Sequence, residues 1–396
     1  MFENVKYLFN QNSIKNCYCI YLKKNGENFE SNFISFGKSH WSNDEDLSGD
    51  HIFRLMSMSK PITAIAAMQL VEKGKLSLDS PAEDVLPELA EIPVLTSEKK
   101  LVKQSKSITL RHLMSHTSGF AYNSLLMITS KKIKELSTLM KLNLLMKGII
   151  TYVYPFSKGP RLFEAGTDFK YGTGLGFVGL MIEKVSGLSL EEYCKKNIFN
   201  PLGMQNTFFT IPKEKKSKIV PLGIRQGRRS MNIRKMPFKG QPYLRFWRKS
   251  YYGGTEIYSS PNDFSKFIQC LMNKGSYDGK NIISSKSFDE MIKPGDFDQM
   301  FERDDSYNFI MGENGRLKNK MNRYGLGLTI SFDPNDSRPV GSIAHGGAAC
   351  TFFSFNLEMQ KAALIFSNFY PYNDPEWYEM VVALEKEVYS TKYSIN

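Results

Sequence analysis

The 396-residue sequence lacks the features that would place it in a membrane or in an oxidising compartment. Its longest apolar stretch, "LMKLNLLMKGIITYVYPF", is interrupted by Lys141, Asn143 and Lys147, so no run of about 18 apolar residues predicts a membrane span. The five cysteines form no Cys-x-x-Cys pair, which favours reduced core thiols over a disulfide framework. "MFENVKYLFNQNS" shows no cationic stretch followed by an apolar run, so no secretory signal is predicted. We therefore expect a cytoplasmic protein without an integral membrane segment.

Motifs for several other chemistries are missing as well. No set of His, Cys and acidic residues has the spacing of metal ligands, and the Gly-x-Ser-x-Gly elbow of α/β-hydrolases is absent. There is no Walker loop and no dinucleotide-binding glycine motif in a βαβ setting. His112 and His116, in "RHLMSHTSG", are interpreted as structural residues that bond helix ends and loops. We therefore expect no metal and no cofactor.

The net charge of +12 is concentrated in one segment. Between Lys213 and Lys249 there are 13 Lys or Arg residues and one acid, Glu214, which account for the whole excess. Two interpretations remain open, a solvated basic loop and an electropositive rim that attracts anionic substrates or a membrane surface. No recognition motif accompanies the charge, so we do not expect a nucleic-acid partner.

Apolar patterns predict strands at both ends of the chain and helices in the middle. "CYCIYLKKNGENFESNFISFG" predicts a hairpin that turns at Asn25-Gly26. "VGSIAHGG", "CTFFSFNLE" and "KAALIFSNF" predict three consecutive antiparallel strands, and "PEWYEMVVALEKEVY" predicts a final helix. Residues from about 57 to 74 predict a helix that ends at Gly74 and is apolar on nearly all faces, so it should be central.

These elements predict an α+β fold with a mixed, mainly antiparallel sheet that is flanked by helices and closed by the two termini. We expect one domain of 1–396. Its α/β part would span about 1–75 and 250–396, and an inserted helical subdomain would span about 76–249.

A serine and a lysine three residues apart open the predicted central helix. Such a tetrapeptide occurs three times, at Ser35–Lys38, Ser57–Lys60 and Ser97–Lys100. Only the second opens a buried helix, where positions i and i+3 share a face. An amine there can activate the serine hydroxyl, as an ammonium that favours the alkoxide or, if burial lowers its pKa, as a neutral base. The alternative is a helix N-terminal serine beside a surface lysine.

Several motifs in a fixed order resemble the serine β-lactamase-like superfamily, which holds class C β-lactamases, DD-peptidases, family VIII carboxylesterases and related acyltransferases. The matching stretches span roughly residues 53 to 370. They are "FRLMSMSKPITAIAAMQLVEKGKLSLDSP", "ITLRHLMSHTSGF", "YGTGLGFVGLMIEKVSG", "GGTEIYSSPNDFSKF" and "YGLGL…HGGAACTFF".

The resemblance implies roles for individual residues. Ser57 would be the acylated nucleophile and Lys60 its proton partner, and Tyr171 would assist the serine and protonate the leaving group. The backbone N–H groups of Ser57 and Ala348 would form the oxyanion hole. His345, Gly346 and Gly347 would replace the family's Lys-Thr-Gly strand at the substrate, and Thr173 would replace its usual asparagine.

The departures at Thr173 and His345 favour an esterase, closest to the family VIII enzymes. We predict a serine hydrolase that cleaves small-molecule, short-chain carboxylic esters, which could be anionic, through an acyl-enzyme on Ser57. Three alternatives remain: an acyltransferase that uses the same acyl-enzyme, a β-lactamase or DD-peptidase, and a non-catalytic scaffold.

Overall fold

The fold is organised around one large sheet with helices on both of its faces. The computed structural model describes residues 1–40, 44–98, 100–121, 160–225, 250–297, 322–372 and 374–390, together with the backbone of 233–235. Its helices are α1 (Glu3–Gln11), α2 (Ser59–Glu72), α3 (Leu110–Met114), α4 (Gly174–Ser186), α5 (Leu190–Cys194), α6 (Pro261–Met272), α7 (Ser285–Met291) and α8 (Pro375–Tyr389).

All of its longer strands belong to the large sheet, which also includes two short strands, and the other short strands form small ribbons. They are β1 (Asn16–Asn25), β2 (Asn28–Gly37), β3 (Phe53–Arg54), β4 (Val94–Leu95), β5 (Leu101–Val102), β6 (Thr207–Phe208), β7 (Gly223–Arg225), β8 (Ile233–Lys235), β9 (Tyr258–Ser259), β10 (Ser276–Tyr277), β11 (Lys280–Asn281), β12 (Arg323–Tyr324), β13 (Thr329–Ile330), β14 (Ile343–Gly347), β15 (Thr351–Asn356), β16 (Lys361–Phe366) and β17 (Phe369–Tyr370).

The large sheet has seven antiparallel strands in the order β12-β13-β14-β15-β16-β1-β2. The three consecutive strands near the C-terminus and the closure of the sheet by both termini are therefore confirmed, since β16 pairs directly with β1. The N-terminal hairpin is confirmed too, with its turn one residue later than Asn25-Gly26. Gly26 and Glu27 are the two turn residues, and Gly26 supplies the φ of 63° that the first position of a type II′ turn requires.

Alternation along the strands gives the sheet two buried faces. On β1, Cys17, Cys19 and Tyr21 point to one side, where they pack with Trp377 and other residues of α8 and with α1. The intervening side chains of β1 point to the opposite side, where α2 and α6 pack. Burial on both faces explains why the central strands β1, β15 and β16 are buried at nearly every position, whereas the edge strand β2 is mostly exposed.

Helix α2 lies at the centre of the larger core. Every residue from Ser59 to Leu70 is buried, including a proline in the first turn, where the missing N–H leaves no hydrogen bond unmade. Gly74 follows the helix with a φ of 65°, as predicted for its end. Ser57 precedes the α-helix in a short 3₁₀ turn, Met56–Met58, so its side chain stands at the N-terminal end of α2.

The middle of the chain contributes α3, α4 and α5. Helix α4 packs against α2, α3 and α5, and α5 also packs against α2. The stretch "LMKLNLLMKGIITYVYPF" lies outside the described residues. The division into an α/β part and a helical subdomain at about 76–249 stays a prediction. None of the helices within the described ranges is long and apolar enough to cross a membrane.

One arginine of the basic segment is neither a solvated charge nor part of a rim. Arg225, on β7, is almost fully buried and forms ion pairs with Asp374 and with Glu376 at 2.9 Å. Asp374 also accepts a hydrogen bond from the N–H of Trp377 and so caps α8. Arg225 therefore links the basic segment to α8 by ion pairs. Most of the basic residues after Arg225 lie outside the described ranges.

Replacing Trp377 by alanine should destabilise the fold without touching the candidate site. The indole is 1% exposed and lies edge-on to Phe369 at 6.5 Å, so its loss leaves a cavity between α8 and the sheet. We expect the free energy of unfolding to fall by about 3–5 kcal/mol in urea titrations. Tyr7→Ala, at a residue that is 65% exposed, is the control, and an equal effect of both changes would contradict this packing.

Candidate active site

Ser57 and Lys60 form a close pair at the start of α2. The Lys60 Nζ lies 2.9 Å from the Ser57 Oγ. Ser57 is partly exposed, whereas Lys60 has no exposed surface. Burial lowers the pKa of Lys60 well below its ordinary value of 10.5, because water no longer solvates the ammonium form. A neutral amine at this distance can accept the proton of the serine hydroxyl, so the pair has the geometry of a nucleophile and its base.

A segment with two adjacent glycines holds the lysine in place. The Lys60 Nζ donates a hydrogen bond to the Gly254 carbonyl at 3.1 Å, and Thr63 donates to the Gly253 carbonyl at 2.7 Å. A Cβ at Gly253 would stand 2.7 Å from the Thr63 methyl group and from the Leu175 carbonyl. Only glycine therefore lets this backbone approach α2 closely enough to receive the amine.

Tyr171 reaches the pair from the loop that leads into α4. The Lys60 Nζ lies 4.8 Å from the centre of the Tyr171 ring, so the amine rests over the aromatic face. The same ring lies 4.3 Å from that of His116, 6.1 Å from that of Tyr324 and 6.2 Å from that of His345, measured between centroids. The loop after α3, the loop before α4 and the sheet, which are far apart in the chain, thus meet around Lys60.

His345 stands on β14 in the middle of the sheet and is neutral. Its Nδ1 lies 2.8 Å from the Gly346 carbonyl, and its Nε2 lies 2.8 Å from the Tyr324 hydroxyl. A carbonyl only accepts, so Nδ1 carries the proton and the Tyr324 hydroxyl donates to Nε2. Burial, with the nearby charge of Lys60 as a second cause, lowers the pKa of His345 to about 3. Both ring nitrogens are engaged inside the protein, so a direct hydrogen bond to substrate would replace one of these partners.

The end of β14 lies against the residues that precede the nucleophile. A Cβ at Gly347 would stand 2.1 Å from the Leu55 carbonyl, which also accepts a hydrogen bond from the Thr351 hydroxyl at 3.3 Å. This close approach requires glycine and brings Ala348 next to the Met56–Met58 turn. The oxyanion hole formed by the N–H groups of Ser57 and Ala348 stays a prediction, and this packing supports it.

Thr173 is the N-cap residue of α4, but its side chain does not cap the helix. Its hydroxyl is buried and has no hydrogen-bond partner among the described residues. Its contact with substrate, like those of Gly346 and Gly347, stays a prediction. No group of three or more His, Cys, Asp or Glu residues that could hold a metal ion occurs in the described part of the chain.

A model of the beta-lactamase family matches residues 29–383, which is most of the chain. The chain belongs to the beta-lactamase family. The fold and the resemblance inferred from the motifs are thereby confirmed, and so is the expectation that the protein is an enzyme. It has the fold of the β-lactamase-related serine hydrolases and acyltransferases.

Three relatives illustrate the breadth of the family. The chain is 26% identical over 347 residues to monacolin J acid methylbutanoyltransferase of Aspergillus terreus, and this alignment covers 85% of this chain and 81% of that protein. It is 29% identical over 272 residues to lovastatin esterase of Penicillium rubens, which covers 64% and 60%. The structure of simvastatin synthase (LovD) from Aspergillus terreus matches with a TM-score of 0.80 at 22% identity and covers 99% and 98%.

His116 and Tyr324 belong to the group of side chains around Lys60 and Tyr171, although neither was predicted from the sequence to lie in the site. His112 does have the structural role expected of it, since its ring and backbone N–H form a capping box with Thr109. The His116 ring has no such role, although its backbone ends α3 with a φ of 60°, where the Thr117 N–H donates to the His112 carbonyl at 3.1 Å. Both missed residues lie inside quoted family motifs, "MSHTSGF" and "YGLGL", and that position was the one signal that could have found them.

Replacing Lys60 by methionine should abolish activity and should not lower stability near neutral pH. Methionine keeps the apolar stem and removes the amine, so ester turnover should fall by roughly 10²–10⁴-fold. Because the pKa of Lys60 is lowered in the folded protein, the unfolded chain binds more protons between that lowered value and 10.5. The free energy of unfolding of the wild type should therefore rise with pH across this window, and the variant should lose that rise.

The measurement combines ester kinetics with thermal melts at several pH values. Lys100→Met is the matched control, because Ser97 and Lys100 of another Ser-x-x-Lys tetrapeptide are exposed and the Lys100 ammonium forms its ion pair with Glu98. A Lys60→Met protein that keeps wild-type turnover would refute the assigned role of the amine.

Proposed function

We propose that the protein transfers the acyl group of a small-molecule ester to an alcohol through an acyl-enzyme on Ser57. The observation that carries this proposal is the 2.9 Å approach of the fully buried Lys60 amine to the Ser57 hydroxyl. Transfer is preferred to hydrolysis because relatives that align over most of the chain, such as monacolin J acid methylbutanoyltransferase, are named acyltransferases. The hydrolysis that the sequence analysis ranked first becomes the second candidate.

In the first half-reaction the Ser57 oxygen attacks the acyl carbonyl carbon. The hydroxyl proton passes to the neutral amine of Lys60, and the negative charge that forms on the carbonyl oxygen is held by the N–H groups of Ser57 and Ala348. The bond to the leaving alcohol then breaks, and Lys60 returns its proton to that oxygen, directly or through the Tyr171 hydroxyl, which gives one proton to the alcohol and takes another from Lys60, so the amine is neutral again. The products are the acyl-serine ester and a free alcohol.

In the second half-reaction an acceptor alcohol replaces the departed one. It gives its proton to the same amine, attacks the acyl-serine carbonyl and releases Ser57, which recovers its hydrogen. Water can attack in the same position and yield a carboxylic acid. The two outcomes share every catalytic group, so the fit of the acceptor in the pocket decides between them.

The acyl group is proposed to be uncharged where it meets β14. Many family members place a lysine at the position of His345, and that cation can meet a substrate carboxylate. With its pKa lowered to about 3, His345 is neutral at pH 7 and gives such a carboxylate no partner. Burying a carboxylate without a cation or full hydrogen bonding is costly, so this site disfavours the anionic β-lactam and cell-wall peptide substrates.

Hydrolysis of esters is kept as a candidate because lovastatin esterase is among the relatives. A β-lactamase or DD-peptidase activity is less favoured on account of His345. A non-catalytic scaffold is least favoured, since the nucleophile and its buried base remain within hydrogen-bond distance.

Acyl partition tests the main proposal. With p-nitrophenyl esters of C2 to C12 acids, the wild type should release p-nitrophenolate, and added alcohols should raise the turnover and yield a new ester. Ser57→Ala should lose roughly 10³-fold or more in turnover. Ser97→Ala, in the exposed Ser-x-x-Lys tetrapeptide, should behave as the wild type.

Three results would distinguish these candidate functions. A free acid as the sole product at every alcohol concentration would favour the esterase. Turnover of a chromogenic cephalosporin with penicillin labelling of Ser57 would favour the β-lactamase reading. Equal rates in Ser57→Ala and the wild type would refute both transfer and hydrolysis through an acyl-enzyme on Ser57.

The charge preference is tested by comparing p-nitrophenyl acetate with the p-nitrophenyl monoester of succinic acid. Because His345 is neutral, we expect kcat/KM for the anionic ester to be lower by roughly tenfold or more, which corresponds to about 1.4 kcal/mol. A preference for the anionic ester would instead support the electropositive-rim interpretation of residues 213–249.

A further inference from the structure

His116 holds the backbone on both sides of Tyr171. Its carbonyl accepts a hydrogen bond from the N–H of Lys170 at 2.9 Å. Its Nδ1 accepts one from the N–H of Gly172 at 3.2 Å. The ring of His116 also lies against the Tyr171 ring, with 4.3 Å between centroids. One residue thus fixes the residue before Tyr171, the residue after it and its aromatic ring.

The backbone of His116 takes the left-handed conformation that ends α3, and this turn places the residue against the Tyr171 loop. Its φ is 60°, in the left-handed region, which costs free energy for a residue that carries a Cβ. The neighbouring chain is equally constrained, since a Cβ at Gly172 would stand 2.1 Å from the Phe120 carbonyl. The end of α3 and the loop before α4 thus hold the His116 ring in one place against Tyr171.

The hydrogen bonds also determine the tautomer of the ring. Nδ1 accepts from a backbone N–H and therefore carries no proton. Burial lowers the pKa of His116 well below its ordinary value, so the ring is neutral. The single proton must then be on Nε2. This N–H is buried and has no hydrogen-bond partner among the described residues.

A buried donor without a partner is expensive, so a specific reason should exist for keeping it. The groups around it are the reacting ones, since the His116 ring touches those of Tyr171 and Tyr324 and lies close enough to Lys60 for their charges to interact. Negative charge forms in this cluster when a proton leaves Ser57 or Tyr171. A neutral N–H that is already oriented can stabilise such charge without reorganising.

We propose that His116 is a positioning residue for acyl transfer, which sets the place of Tyr171 and presents its Nε2–H to the charge that develops around Tyr171 during the reaction. This proposal rests on the proposed function. It assigns the histidine of "SHTSG" to the reaction, whereas the sequence alone suggested a bond at a helix end.

His116→Gly with chemical rescue is the decisive experiment. Glycine adopts a φ of 60° without strain, so the backbone contact to Lys170 should survive while the ring is lost. We expect kcat to fall by about 10²-fold, the effect of misplacing a reacting group by about 1 Å, with little change in KM. Added imidazole should restore part of kcat. Added 1-methylimidazole, which can accept from Gly172 but has no N–H, should not.

Two further measurements keep the proposal falsifiable if the cavity variant folds poorly. ¹⁵N spectra of wild-type protein should show His116 with Nδ1 unprotonated and Nε2 protonated, with His116→Asn used to assign the signal. Asparagine also tolerates a positive φ and can accept from Gly172, so this variant should fold and still lose kcat. His112→Ala is the matched control, and it should lower the melting temperature through its lost cap while keeping kcat.

Specific outcomes would overturn the proposal. Wild-type kcat in His116→Gly, or the opposite tautomer in the spectra, would end the positioning role. Equal rescue by the two imidazoles would end the donor role. If Ser57→Ala is inactive in these cases, the proposed function stands and this inference alone fails, whereas an active Ser57→Ala protein would remove the proposed function first.

Discussion

Lys60 is an amine that has been taken out of water and set 2.9 Å from a hydroxyl, and the rest of the structure serves to make that arrangement stable. Removing an ammonium from water is unfavourable, so the folded protein favours the neutral amine. Ser57 itself is partly exposed, so a substrate can reach the hydroxyl while the amine behind it stays buried. Burying this amine therefore lowers the stability of the fold while making the side chain reactive.

The surrounding structure meets this constraint by close backbone approaches. Gly253 and Gly347 let two segments reach α2 and the residues before it at distances that no Cβ would allow. Three of the seven described non-glycine residues with positive φ lie in segments that border the site. Met56 precedes the nucleophile with a φ of 49°, His116 brackets Tyr171 at 60°, and Cys350 at 56° lies in the turn that follows β14. The seven-stranded sheet, buried on both faces, provides the packing that holds these conformations.

Electrical neutrality is the second property of the site, and it shapes the proposed function. His116 and His345 are both uncharged, because burial lowers the pKa of each ring. A site with a neutral base and neutral histidines suits uncharged acyl groups better than the carboxylates for which other family members keep a lysine. The machinery for acyl-enzyme formation is the same for transfer and for hydrolysis, so the acceptor is selected by the shape of the pocket.

Sequence alone determined the local elements and the order of the motifs. The hairpin, α2, β14 to β16 and α8 follow from periodicity and turn residues, which act between neighbours along the chain. The pairing of Ser57 with Lys60 was also predictable, since residues three positions apart on a helix share a face and lie close together. The role proposed for Tyr171 needed the family resemblance, because no local pattern links it to α2.

Tertiary structure alone decided which distant side chains share the site and which of them are charged. His116 and Tyr324 lie about 50 residues before and 150 after Tyr171, and their meeting depends on how α3, α4 and the sheet pack. The lowered pKa values of Lys60 and His345 are consequences of complete burial, which no stretch of sequence specifies by itself. Local sequence chooses conformations one segment at a time, whereas desolvation is a property of the whole assembled core.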